Sequence, residues 1–203
     1  MAKITGSKFD IYCSESDKAI EYMNCVSGVL ESKEVHMLGD YVHHHFTTRL
    51  QHSLNVSYYS FMFCRVLGWD YRSAARAGLM HDLYFFDNKS IDSEGNKLLR
   101  NHPFEALDNS EKAFNLNEIE KDAIVNHMWP CNSIGRPKYK ESMIVSLSDK
   151  LCAVMEAASG SGRCVCKSTE NAVNTTVSKV TSTYQFVFTK AVGVCRLALN
   201  YIN

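Results

Sequence analysis

The sequence predicts an all-α protein built as a helical bundle around one core. Three observations predict it. Apolar residues recur mostly at spacings of three and four rather than alternating, the period of a helix and not of a strand. Only three prolines occur, Pro103, Pro130 and Pro137, and they sit at the edges of periodic segments, where a helix tolerates them. The chain has 203 residues, 45% of them hydrophobic and 22% charged, which is ordinary for a globular domain with helical extensions. The expected organisation is an N-terminal helical extension over 1–39, a central domain over 40–157, and a C-terminal helical extension over 158–203 packing on the core.

The segment from about Thr47 to Leu67 is apolar on most faces. Leu50, Leu54, Tyr58, Phe61 and Met62 fall on one side, and Val56, Tyr59, Phe63 and Val66 on another, as expected of a helix at the centre of a bundle. Gly68 offers a stop, and Asp70 can cap a helix running from about Tyr71 to Leu83. On that helix Ala74, Ala77, Gly78 and His81 share a face, so small residues let a neighbouring helix come close. The pattern breaks from Tyr84 to Asn101 into polar loop sequence, including Asp-Asn-Lys-Ser and Asp-Ser-Glu-Gly-Asn. Pro103 suits the first turn of the next helix, with His102 at its boundary. Asn117 and Glu120 resemble a capping box for a helix on which Ile119, Ala123 and His127 align. After a loop over Trp129–Pro137, Ser142 to Glu156 reads as helix with Val145, Ser148, Asp149 and Cys152 on one face. A Gly/Ser-rich junction, Ala158 to Gly162, precedes a last segment from about Glu170 to Tyr201, one long helix or two.

Bulk properties exclude several classes. Lys plus Arg equals Asp plus Glu at 22 each, so no global charge excess advertises nucleic acid or an anionic membrane, and any affinity for phosphate must be local. No leader-like apolar run opens the chain, and none later approaches the ~18 residues of a membrane span. A soluble cytoplasmic protein is the expectation. Eight cysteines are scattered along it, at 13, 25, 64, 131, 152, 164, 166 and 195, and reduced thiols fit better than a disulfide framework. Cys164-Val-Cys166 is a single C-x-C with no second pair at zinc-ribbon spacing. Cys152 and Cys195 lie in apolar stretches and read as small hydrophobes.

Four histidines, His52, His81, His102 and His127, lie in or at the edge of four different predicted helices, and Asp82 and Asp149 fall on apolar faces. Any one of them alone reads as a hydrogen-bonded core residue. Six together are harder to bury without a cation, because each imidazole and carboxylate would need its own partners. Neutral imidazole plus carboxylate, without thiolate, suits iron, manganese, zinc or cobalt better than magnesium or calcium. In the adjacent pair His81-Asp82 the two side chains diverge by about 100°. Both reach one site only if it lies between them, where a carboxylate can bridge two metals.

His52, then His81-Asp82, then Asp149, all on helices, resembles the H…HD…D signature of the HD superfamily, mainly metal-dependent phosphohydrolases with a helical core. The resemblance covers about residues 40–157, making that span an HD domain with helical extensions on either side. His102 and His127, between the HD pair and the last Asp, look like the additional ligands of its binuclear branch. The contexts Arg49-Leu-Gln-His52, Ala77-Gly-Leu-Met-His81-Asp82, His102-Pro-Phe-Glu-Ala, Asn126-His127 with Gly135-Arg136-Pro137, and Ser148-Asp149-Lys150 look most like bacterial HD hydrolases that cleave diadenosine tetraphosphate. The resemblance implies two divalent transition-metal ions, iron or manganese first, with zinc, cobalt or nickel as alternatives. One ion would be held by His52, His81, Asp82 and Asp149 and the other by Asp82, His102 and His127, with Asp82 bridging. It also implies cleavage of a phosphate ester or anhydride, of a nucleotide or dinucleoside polyphosphate, by a metal-activated hydroxide.

For the phosphorylated small-molecule substrate, Arg49 lies three residues before His52, near the same helix face, and could offer a planar guanidinium. Lys150 and Arg136 are further candidates. Arg49 and Lys150 are the two expected to act in catalysis alongside Asp82. The run His43-His44-His45 reads as a partly exposed helix start, and spacing cannot choose which of the three lines the pocket; His45 is taken as the substrate contact. Trp129 and Tyr84-Phe85-Phe86 flank the ligands and could stack on a base, although core packing is the more ordinary role. Two other functions use the same ligands: an HD-type di-iron oxygenase, and a nucleotide-binding regulatory module without turnover. A homodimer is compatible with the sequence, the segment from Cys164 to Asn203 being free to cover the core or to meet a partner.

Overall fold

The computed structural model describes residues 3–7, 16–44, 47–87, 101–131 and 135–165, without the side chains of 44 and 159–165. The chain divides into two compact units, Met1–Ala158 and Ser159–Asn203. Helices dominate the first: α1 (Asp17–Leu30), α2 (Lys33–Met37), a 3₁₀ turn (Leu38–Asp40), α3 (Arg49–Leu67), α4 (Tyr71–Met80), α5 (His102–Ala113) and α6 (Glu118–Asn126), with α7 (Lys140–Val165) running on past its end. The all-α expectation is met. The predicted C-terminal helices, Cys166 and Cys195 fall outside the described residues.

α3 is the central helix. Thr48 caps its first turn by accepting from the Gln51 amide, and Gly68 ends it in the left-handed conformation, φ 69°, that lacks a Cβ penalty. One buried cluster, including Tyr22, Val26, Val29, Leu54, Phe61 and Leu79, joins α1, α3 and α4. A second, including Val56, Cys64, Ala74, Ala77, Ala123, Val145 and Cys152, joins α3 and α4 to α6 and α7. Each large member, such as Phe61, stabilises the fold by about 1.5–3 kcal/mol through burial. The α3–α4 contact between the clusters is tight at Gly78, where an added Cβ would lie 2.8 Å from the Ser57 Cα and 3.0 Å from its nitrogen. The small-residue face predicted on α4 is what permits that approach.

The N-terminal region is part of this core. Tyr22, Val26 and Val29 are fully buried, and Ile4 lies in the same cluster. Tyr22 Oη donates to Ser57 Oγ, which donates to the Ala75 carbonyl, stitching α1, α3 and α4 together.

Four details differ from expectation. A two-stranded antiparallel hairpin, β1 (Val42–His44) and β2 (Thr47–Thr48), replaces the predicted helix start; Val42 pairs with Thr48 and His44 with Thr47. β-Branched Val42, Thr47 and Thr48 favour this extended pairing, and the strands are too short for periodicity to register. α4 stops at Met80, so His81 and Asp82 occupy the turn beyond the helix rather than its interior. α6 likewise stops at Asn126, leaving His127 as its C-cap. α7 runs from Lys140 to Val165, so the Gly/Ser-rich stretch Ala158–Gly162, expected as a junction after a helix ending at Glu156, continues the helix instead. Two helix starts match: His102 opens α5 with Pro103 in its first turn, and Asn117 and Glu120 form the reciprocal capping box.

Candidate metal centre

The ends of α4 and α6 set two of the histidines in the same way. A helix leaves its last four carbonyls without intrahelical partners. His81, capping α4, places Nδ1 2.8 Å from the Gly78 carbonyl, and His127, capping α6, places Nδ1 2.7 Å from the Ile124 carbonyl. A carbonyl only accepts, so in both rings Nδ1 carries the proton and Nε2 holds a lone pair. One contact thus satisfies a helix end and fixes the tautomer a metal ligand needs. Both rings are buried; burial pushes the His81 imidazole below its ordinary pKa and, helped by nearby His81 and His102, pushes His127 down to about 3.

His52, fully buried on α3, is oriented by carboxylates instead. Its Nε2 is 3.0 Å from Asp149 Oδ1, and its Nδ1 is 3.0 Å from Glu156 Oε2. Burial works to lower its pKa, but the two carboxylates outweigh burial and raise it to about 10. Glu156 is held in turn by Asn55, whose Nδ2 donates to Oε1 at 2.7 Å and to Thr5 Oγ1 at 3.1 Å. A chain of contacts therefore runs from the N-terminal segment to His52.

Asp82 lies at the middle, and its two oxygens face different neighbours. Oδ1 is 3.3 Å from His102 Nε2 and 3.6 Å from His127 Nε2. Oδ2 is 3.7 Å from His81 Nε2 and 3.6 Å from His43 Nδ1. Burial opposes ionisation of Asp82, but His81 and then His102 hold its carboxyl well below the usual range. Asp149 is likewise lowered, burial being outweighed chiefly by the His52 hydrogen bond.

These residues fit a cation. His81 Nε2 and Asp82 Oδ1 are buried without a hydrogen-bond partner, and such orphaned atoms cost about 1–3 kcal/mol each. His102 Nε2 and His127 Nε2 approach to 2.9 Å. With metal–ligand lengths of about 2.0–2.1 Å, neighbouring ligand atoms lie about 2.9–3.4 Å apart, which brackets this contact and those of His52 with Asp149 and His102 with Asp82. Three overlapping ligand groups result: His43, His52 and Asp82; His52, His81 and Asp149; and His81, Asp82 and His127. These groups take in five of the six residues expected from the sequence, and His102 joins them through its contacts with His127 and Asp82.

The expected phosphate contacts do not converge in the same way. Arg49 is fully buried, with Nη1 donating to the Tyr84 carbonyl at 2.5 Å and Nη2 to the Phe86 carbonyl at 3.0 Å. Its guanidinium carbon stands 3.5 Å from the centre of the Tyr84 ring. Arg49 lies near the His52 face, as its spacing requires, with its guanidinium engaged by these two carbonyls and the Tyr84 ring. Lys150 donates to Asp149 Oδ2 at 2.9 Å and to the His127 carbonyl. Arg136 is exposed, and His45 lies outside the described residues. Tyr84 is buried and Phe85 and Phe86 are partly buried. Tyr84 tilts against Phe86 and against His102.

Two residues were missed. Glu156 had a signal, since it follows Asp149 by two helical turns and so shares its face. His43 had none beyond the histidine run, because only the hairpin decides which ring turns inward.

The HD domain family matches residues 49–154. The chain belongs to this family. Its members are generally metal-dependent phosphohydrolases, and the buried His/Asp cluster is where a divalent ion could be held. No curated protein matches the sequence. Both missed residues, His43 and Glu156, lie just outside the matched stretch of this HD domain.

Proposed function

We propose that this HD-domain chain is a binuclear hydrolase cleaving a phosphate ester or anhydride bond of a nucleotide or dinucleoside polyphosphate. The observation that carries the two-ion reading is Asp82, whose oxygens face different histidine pairs, His102 and His127 on one side and His43 and His81 on the other. A carboxylate so flanked can serve two cations at once. His52, His81, Asp82 and Asp149 would hold one ion, and Asp82, His102 and His127 the other. Iron or manganese suits this nitrogen-and-oxygen set best, with zinc, cobalt or nickel also acceptable. Bound there, the ions supply Lewis acidity and lower the pKa of a water toward neutrality.

The chain's own contribution is orientation. His81 and His127 keep their tautomers through backbone carbonyls, and Glu156 keeps the His52 ring in place. Lys150, 29% exposed at its side chain and paired with Asp149, balances charge at the rim, where it is the basic group best able to reach a substrate phosphate; Arg136 is the second. Arg49 acts here as a positioning residue that ties the segment after Asp82 to the start of α3.

The test is a screen of the metal-loaded protein against dinucleoside polyphosphates, nucleotides and small phosphoesters, run anaerobically in oxygen-labelled water. Turnover without dioxygen, with label entering the phosphate product, is the expected result. Strict dependence on dioxygen with no label in phosphate would make the protein an oxygenase. Tight nucleotide binding without turnover would make it a regulatory module.

A further inference from the structure

We infer that His43, carried on the β-hairpin outside the matched HD segment, is an additional ligand to the metal ion held by His52 and Asp82. The inference rests on the metal-centre reading above and extends it to a residue that the H…HD…D pattern does not contain.

Its first support is placement. The His43 ring stacks on that of His52, with centres 4.0 Å apart and planes at 23°, while Nδ1 points to Asp82 Oδ2 at 3.6 Å. In a six-coordinate ion with bonds of about 2.1 Å, ligand atoms lie about 3.0 Å apart when adjacent and about 4.2 Å apart when opposite. The observed 3.6 Å is longer than the adjacent spacing by about 0.6 Å, a difference that a small side-chain shift on binding would close. His43, His52 and Asp82 each offer an atom to one such point.

The second support is rigidity. A residue on a loose loop would be a poor ligand, but this hairpin is strapped down. The Arg49 amide donates to the Tyr41 carbonyl at 2.8 Å, and Tyr41 Oη donates to the Phe85 carbonyl at 3.0 Å. The Arg49 guanidinium, already bonded to Tyr84 and Phe86, also stands 4.9 Å from the centre of the Tyr41 ring. One arginine therefore links the strand entering His43 to the segment leaving Asp82, fixing the two donors relative to each other.

The third support is accessibility. The His43 side chain is 13% exposed, against 4% for Asp82 and none for His52. His43 thus sits at one open edge of the centre, the Asp149 side chain at another being equally exposed at 13%. A ligand there would close the coordination shell where substrate arrives, and its imidazole is the one a substrate oxygen could replace without disturbing the core.

The experiment loads wild type, His43→Ala and the control His36→Ala with Mn2+ alone and with Co2+ alone. His36 is exposed on α2. Chelator competition reads affinity, electron spin-echo modulation from nitrogen counts imidazoles on Mn2+, and visible absorption of Co2+ reports coordination number. The expected result for His43→Ala is one ion weakened at least about tenfold, one fewer coordinated imidazole, and recovery of both on adding free imidazole, with the melting temperature of metal-free protein unchanged. His36→Ala should match wild type. If wild type binds two ions and His43→Ala matches it in affinity and nitrogen count, His43 is no ligand and the binuclear reading stands without it. If wild type takes up neither metal, the metal-centre reading falls and this inference falls with it.

Discussion

The histidines on the two sides of the candidate metal centre are held by different means. His81 and His127 are aimed by the carbonyls of their own helix ends, three residues back in sequence. His52 is aimed by Glu156, a residue 104 positions away on α7. The first arrangement is local and forms with the helix; the second exists only once α3 and α7 have packed. Side-chain substitution cannot delete a backbone carbonyl, so the local side should resist mutation where the long-range side does not. Asp82 joins the two sides, and its loss should be felt by both.

The largest effect is therefore expected at Asp82. Asp82→Ala should empty both positions together, because without the shared carboxylate two dications would face each other unshielded, and turnover should fall by about a thousandfold or more. Elemental analysis alongside kinetics checks this. Retention of one tightly bound ion would show that the two sides are independent and that Asp82 does not bridge.

Glu156→Ala sharpens the contrast between the sides. It removes the partner of the His52 Nδ1 and leaves Asn55 Nδ2 with Thr5 only. Metal affinity should drop about 10–100-fold, the usual cost of losing an outer-shell partner, with the loss confined to the ion on the His52 side. Two-phase chelator titration distinguishes this from a uniform loss. Equal weakening of both ions would mean that Glu156 supports the fold of the centre rather than one ligand.

Arg49→Ala probes the strap that joins hairpin and loop. Two charge-assisted contacts to carbonyls vanish, and the loss should be about 3 kcal/mol, or about 6–12 °C in melting temperature for a chain of this size. Metal stoichiometry should persist. A change in the KM for the best phosphorylated substrate, with no change in melting temperature, would restore the phosphate-binding role that its position beside His52 suggests.

The same division between local and long-range explains what could be read in the sequence. Capping at Asp70 and Asn117, the stop at Gly68 and the small face of α4 are short-range signals, and each appears where it was expected. The six candidate ligand residues were legible because every one sits on or just beyond a strongly periodic helix. Arg49 was placed on the correct helix face, yet its function depends on where the chain runs after Asp82, which periodicity does not encode. His43 depends on a hairpin five residues long in its paired strands, below the length at which alternation is visible. Glu156 depends on α7 meeting α3, although its spacing from Asp149 was there to be used.

The smallest effect is expected at Gly78, and it tests whether the local side is as self-sufficient as its hydrogen bonds suggest. Gly78→Ala adds a methyl that would stand 2.8 Å from the Ser57 Cα, a backbone atom that no rotamer change can move aside. α3 and α4 must separate slightly, at a cost of about 1–3 kcal/mol, partly offset because alanine favours a helix over glycine by about 1 kcal/mol. The net fall in melting temperature should be a few degrees, smaller than for Arg49→Ala. Since the Gly78 carbonyl remains, the His81 Nδ1 keeps its partner and the ring keeps its tautomer. What changes is the distance between His81, carried by α4, and His52, carried by α3, whose rings stand 5.4 Å apart. Metal affinity on that side should weaken while the His102 and His127 side holds its ion unchanged. Equal loss from both sides would mean that the α3–α4 contact governs the whole centre, and that the helix-end carbonyls aim their histidines only within a frame set by packing.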